Sequence, residues 1–200
     1  LVHVYDRLVH RDEKNKLIPG LATKWEISQD LKTFTLTLRE GLKFADGTPF
    51  DAAAVKANLD RARGAGASGS VLLKPITSVE AQGTNTVVCQ LNGPPAALPG
   101  ALTELPGMMV NPKAFATPDK VKELATKPDG IGRYRLVNSK PGASYEYEAT
   151  PDYWDQGAAP AKKFIVELSG DPETRMNSLQ GGQVDVAQVA PSIVKRAKDA

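Results

Sequence analysis

Between residues 33 and 39 the chain alternates without a break. Phe34, Leu36 and Leu38 fall on one side of an extended backbone, and Thr33, Thr35 and Thr37 fall on the other. Period two over that length predicts a strand with one buried face. Ala45-Asp46-Gly47-Thr48 then predicts a turn in which Gly47 takes positive φ. Asp51 follows Pro49 and Phe50 and is suited to accept from the first free N–H groups of a helix. Residues 52–63 carry Val55, Leu59 and Ala62 on one helical face, and the glycine- and serine-rich run 64–70 ends that helix in a flexible loop.

The pattern continues less regularly. Residues 1–5 (LVHVY) read as strand-like, and 75–81 with 85–91 as a strand pair around Gln82-Gly83-Thr84. A short helix is expected within 96–105, after a proline-rich irregular stretch, and another over 118–125. Gly130-Ile131-Gly132 reads as a tight glycine turn. Residues 134–137 and 144–149 predict a second strand pair, with Tyr145 and Tyr147 on the face opposite Glu146 and Glu148. A strand over 163–168 precedes Asp171-Pro172, a cap followed by proline at the first helical position. That helix runs to Gln180 and ends at Gly181-Gly182. A short apolar strand over 184–189 and an amphipathic helix over 191–200 complete the reading. Strands and helices mix without regular β-α-β alternation, so the class is mixed α/β or α+β.

Composition narrows the function classes. Of 200 residues, 41% are hydrophobic and 24% charged, ordinary shares for a globular chain. A net charge of +2 with both signs interspersed gives no argument for nucleic acid or an anionic membrane surface. No run approaches the roughly 18 apolar residues of a membrane span, and no charged-then-apolar leader is present. Cys89, the only cysteine, lies in TVVCQL on a face with Val87 and Leu91, as a buried small hydrophobe would.

Candidate chemistry is sparse. A lone Gly130-x-Gly132 lacks the third glycine and the following helix of a phosphate cradle, so a structural turn accounts for it. His3 and His10 do not have a metal-ligand spacing. Asp46 and Asp51 suit a turn and a helix cap better than an acid–base pair. Ser68 and Ser70 have no histidine-containing motif beside them. Trp25 and Trp154 are expected to anchor a core. The residues therefore predict no catalytic constellation, no cofactor and no metal.

Several ordered phrases carry a resemblance. They are Pro19-Gly20-Leu21-Ala22, Trp25-Glu26-Ile27-Ser28, the strand from Phe34 to Arg39, Gly41-Leu42-Lys43-Phe44 and Asp46-Gly47-Thr48-Pro49-Phe50. Further on come Lys74 to Glu80, then Thr150-Pro151-Asp152-Tyr153-Trp154 where the family has Asn-Pro-Asp-Tyr-Trp, and the stretch from Asp171 to Asp185 with Gln183 in a Glu position. Together they resemble the extracellular solute-binding proteins of family 5, the dipeptide and oligopeptide receptors of bacterial ABC importers. Two departures stand out. Arg133 replaces the proline of Gly-Thr-Gly-Pro-Tyr, and Gln29-Asp30-Leu31-Lys32 lacks the family's turn glycine.

The resemblance implies the first lobe of a type II periplasmic-binding-protein-like fold, incomplete, with the second lobe absent and a leader expected upstream. It implies a core-sheet subdomain from 1–40 and 150–200, with 41–149 inserted. It implies capture of peptides or similar small solutes at the periplasmic or extracellular face of the cytoplasmic membrane, and delivery to an ABC permease. An extracellular hydrolase or a non-transport binding module on the same fold is the alternative. Gln188, Val189 and Ala190 are the implied solute contacts, with Ser68 and Ser70 in the loop after the first helix. Nickel-binding relatives exist, but no metal is expected for this chain, nor is nucleic acid. A lobe lacking its remaining segments is expected to self-associate.

Overall fold

A computed structural model describes residues 3–191. A short hairpin, β1 (Val9–Arg11) with β2 (Leu17–Pro19), leads into a four-stranded antiparallel sheet. That sheet contains β3 (Ala22–Ile27), β4 (Thr33–Leu38), β5 (Ile76–Gln82) and β6 (Thr86–Leu91), in the order β3-β4-β6-β5. Helix α1 (Ala52–Arg63) packs against β5 and β6. Short helices α2 (Leu98–Ala101) and α3 (Pro118–Glu123) follow. A second antiparallel sheet joins β7 (Tyr134–Lys140), β8 (Ser144–Ala149) and β9 (Lys163–Glu167) in that order, and α4 (Pro172–Gln180) comes last. The four-stranded sheet draws β3 and β4 from one side of the expected boundary at residue 40 and β5 and β6 from the other.

The larger core forms where the sequence alternates. Phe34, Leu36 and Leu38 are all buried on β4 and meet Val55 and Leu59 of α1, Val79 of β5, and Val87 and Cys89 of β6 in one cluster. Each such side chain contributes about 1.5–3 kcal/mol on leaving water. The Asp51 carboxylate accepts from the Ala54 N–H at 2.8 Å and so starts α1 where expected. Asn58, buried within α1, turns its amide onto a neighbouring chain segment. Its Nδ2 donates to the Val110 carbonyl at 2.8 Å, and its Oδ1 accepts from the Val110 N–H at 3.0 Å. The side chain thus stands in for a strand neighbour and satisfies two backbone groups that burial would otherwise leave unpaired. A second, smaller core gathers Val4, Tyr134 and Tyr147, with Phe164 and Val166 packed against it. Tyr147 stacks on Phe164, and the His3 ring meets Tyr134, Tyr147 and Phe164 edge-on.

Several expectations are corrected. The described part of the opening is not a strand: His3 and Val4 lie in a turn, Arg7 forms an isolated bridge with Met108, and the first strand begins at Val9. Residues 184–189 are irregular: among the described residues no strand pairs with their backbone, and Val186 is 86% exposed. The helix within 96–105 shortens to Leu98–Ala101, and Ser70 opens a 3₁₀ turn (Ser70–Leu73) instead of closing a flexible loop. Gly130-Ile131-Gly132 is not a tight turn: Gly130 forms a bridge with Val110, and Gly132 pairs with Val4. The helix expected over 191–200 lies outside the described residues beyond its first position. At the glycine-less turn, Leu31 itself takes φ of 58°. Hydrogen bonds from Ser28 Oγ to Asp30 and from the Thr33 and Lys32 N–H groups to Ser28 Oγ hold it there.

Candidate functional site

Among the described residues the buried polar side chain with the most hydrogen bonds is Asp6, which is 6% exposed. Its Oδ1 accepts from the Arg7 N–H at 2.7 Å and lies 2.6 Å from His10 Nε2. Its Oδ2 accepts from the Tyr153 hydroxyl at 2.6 Å and from Trp154 Nε1 at 2.8 Å. Burial alone would push this carboxyl up. The bonds from His10, Tyr153 and Trp154 outweigh it, and the carboxyl lies below its ordinary value. With Asp6 ionised, His10 Nε2 must carry the proton between them. Burial and the adjacent carboxylate push the Tyr153 phenol well above its ordinary value, which keeps it a donor.

Two remote phrases of the sequence meet at this node. Tyr153 and Trp154 supply two of the donors, and Arg39 lies over the Trp154 ring at 3.8 Å while its Nε donates to the Gly20 carbonyl. A Cβ on Gly20 would come within 2.5 Å of the Arg7 carbonyl and 2.7 Å of the His10 ring, so only glycine fits. The glycines at 130 and 132 serve the same end by close approach. A Cβ on Gly132 would lie 2.4 Å from the Val4 carbonyl carbon, and the Gly132 N–H donates to the Val4 carbonyl at 2.7 Å. The 3–7 segment is thereby pinned between the two sheets, with Asp6 facing a polar cavity of about 220 Å³.

The sequence-expected contact residues lie elsewhere. Ser68 and Gln188 are exposed, and Ser70, Val189 and Ala190 are half-buried. The Gln188 carbonyl accepts from Arg175 Nε of α4 at 3.0 Å. None of the five lines the cavity beside Asp6.

The family model for bacterial extracellular solute-binding proteins, family 5 Middle, matches residues 16–200. The chain belongs to that family. It is 34% identical to the glutathione-binding protein GsiB of Escherichia coli K12 over 94% of its own length and 36% of that protein's. It is 29% identical to a probable peptide ABC transporter periplasmic-binding protein, y4tO, of Sinorhizobium fredii, over 91% of this chain and 36% of the other. Among solved structures, NikZ of Campylobacter jejuni, crystallised in complex with Ni(L-His), superposes with a TM-score of 0.88 at 26% identity, over 98% of this chain and 39% of NikZ. The chain thus spans little more than a third of the length of these relatives, and the incomplete-lobe expectation agrees with that coverage.

Against this family background the carboxylates have structural work. Asp46 accepts from the Thr48 N–H at 2.9 Å and pairs with Lys113 Nζ at 2.9 Å. Hydrogen bonds from Thr48 and Lys113 hold it well below the usual carboxylate range, the opposite of what a general acid at neutral pH needs. Burial pushes the Cys89 thiol up to about 12, so it is a core residue and not a nucleophile. Among the described residues no group of three or more His, Cys, Asp or Glu side chains is placed to hold a metal, and no helix is long and apolar enough to cross a membrane. Asp6 escaped sequence reasoning. The one available signal was the adjacent Tyr153-Trp154 pair, two polar-tipped aromatics that need an acceptor when buried.

Proposed function

We propose that the protein is the solute-binding receptor subunit of an ABC importer. It captures peptides or similar small solutes outside the cytoplasmic membrane, in the periplasm or at the extracellular face, and delivers them to a membrane permease. The observation that carries this reading is the family match across residues 16–200. The names of the relatives add peptides, glutathione and a nickel–histidine complex as the range of solutes handled on this scaffold. A solute drives closure of such a receptor only by binding the closed state more tightly than the open one. Gln188, Val189, Ala190, Ser68 and Ser70 are the proposed solute contacts, supported by their at least partial exposure. The chain by itself is proposed to self-associate through β9, an edge strand on which Ile165 is 57% exposed. Deleting the gene tests the receptor role. Uptake of labelled peptide should fall while peptide breakdown in cell extracts is unchanged. Unchanged uptake together with lost breakdown would favour a hydrolase.

A further inference from the structure

The cavity beside Asp6 has an excess of unpaired cationic donors. Arg7, Arg11 and Arg133 line it, together with Tyr5, Tyr153 and Asp155. None of the three arginines forms an ion pair among the described residues. Arg11 is spent on neutral oxygens, donating from Nε to Thr103 Oγ1 at 3.1 Å and from Nη1 to the Asn15 carbonyl at 3.2 Å. Among the described residues Arg133 donates from Nη1 to the Ala158 carbonyl at 3.1 Å, a neutral oxygen. The Nε of Arg7 and the Nδ1 of His3 on the same wall are buried and have no hydrogen-bond partner among the described residues. The Asp6 carboxylate forms no ion pair with these arginines, and its two oxygens already face four donors other than their guanidinium groups. That leaves the exposed Asp155 as the one other acid on the wall.

Unsatisfied buried N–H groups are costly, and a guanidinium fork matches an oxyanion in both charge and geometry. We propose that this cavity binds an oxyanion, a carboxylate or phosphate group, held by Arg7 and Arg133 with Arg11 at its border. Arg133, which stands where the family pattern has proline, is then the residue that makes the wall cationic in this chain. The cavity lies wholly within this chain, so the inference holds whether or not the receptor reading does.

The test follows the arginine Nε–Hε signals of the purified protein by ¹H–¹⁵N NMR. Sodium phosphate and sodium succinate are titrated separately, with sodium chloride at matched ionic strength as the control. The expected result is a saturable shift of the Arg7 and Arg133 signals with one or both dianions and none with chloride. Saturation by phosphate alone or by succinate alone identifies which oxyanion the site takes. Arg133→Gln should weaken binding by about tenfold, the loss of one charge-assisted contact. Arg133 is exposed, so this variant should fold even if Arg7→Gln does not. Asp155→Asn should tighten binding by removing the competing acid. Arg135→Gln, on the pair Arg135 makes with Glu148 away from the cavity, should change nothing. Shifts that never saturate, that chloride reproduces, or that survive Arg133→Gln unchanged would overturn the proposal.

Discussion

Replacing Asp6 by Asn examines the node that joins the start of the chain to Tyr153 and Trp154. The substitution keeps the shape and exchanges one acceptor oxygen for an NH₂ donor. If that NH₂ replaces Oδ1 it faces the Arg7 N–H, which can only donate; if it replaces Oδ2 it faces the Trp154 indole, which can only donate. Either orientation leaves a buried donor unpaired, at about 1–3 kcal/mol, and the surviving bonds lose their charge assistance. Relief from burying a carboxylate offsets part of this, so the expected net loss is about 2–4 kcal/mol. Urea unfolding followed by tryptophan fluorescence measures it as a lower midpoint at unchanged slope. Tyr153→Phe should lose less alone, and the double variant should lose less than the sum, because both changes break one contact. A loss below about 0.5 kcal/mol for Asp6→Asn, the ordinary range for surface changes, would mean that the Asp6 carboxylate does not hold this node together.

Other expectations follow from single contacts. The Asp6 carboxyl lies below its unfolded value of 3.8, so the unfolded chain binds the proton more readily. That stability is present above the unfolded value and is lost as pH falls through the folded one, and acid titration of wild type against Asp6→Asn should show the difference disappearing there. Asn58→Ala should cost about 2–5 kcal/mol in chemical denaturation, since it strands both the N–H and the carbonyl of Val110 in the core. Asp51→Ala should cost about 0.5–2 kcal/mol in the same assay by removing the cap of α1. Leu31→Gly should leave stability unchanged or raise it by up to about 1 kcal/mol, because the left-handed backbone at 31 strains a leucine that is already 56% exposed.

What was legible in the sequence was local. The β4 alternation, the Asp51 cap with α1 behind it, and the Asp171-Pro172 start of α4 each depend on neighbours within a few residues, and each formed as read. The site was not local. Asp6 and Tyr153 lie 147 positions apart, and no periodicity links a carboxylate to an aromatic hydroxyl over that distance. The Gly130-x-Gly132 phrase was visible but misread as a turn. Its reason is the passage of residues 3–5 across it, a contact between segments rather than a property of one. Residues 184–189 show the converse: their apolar pattern suits a strand, yet a strand needs a partner that the pattern itself cannot supply.

The receptor reading is tested most directly by titrating a panel of peptides, glutathione and a nickel–histidine complex into the intact protein by calorimetry, and then recovering the solute and identifying it. A receptor should bind at least one solute saturably and one-to-one, and that solute should be recovered chemically unchanged after prolonged incubation. Conversion of solute to product beyond the amount of protein present, or no saturable heat from any member of the panel, would contradict it.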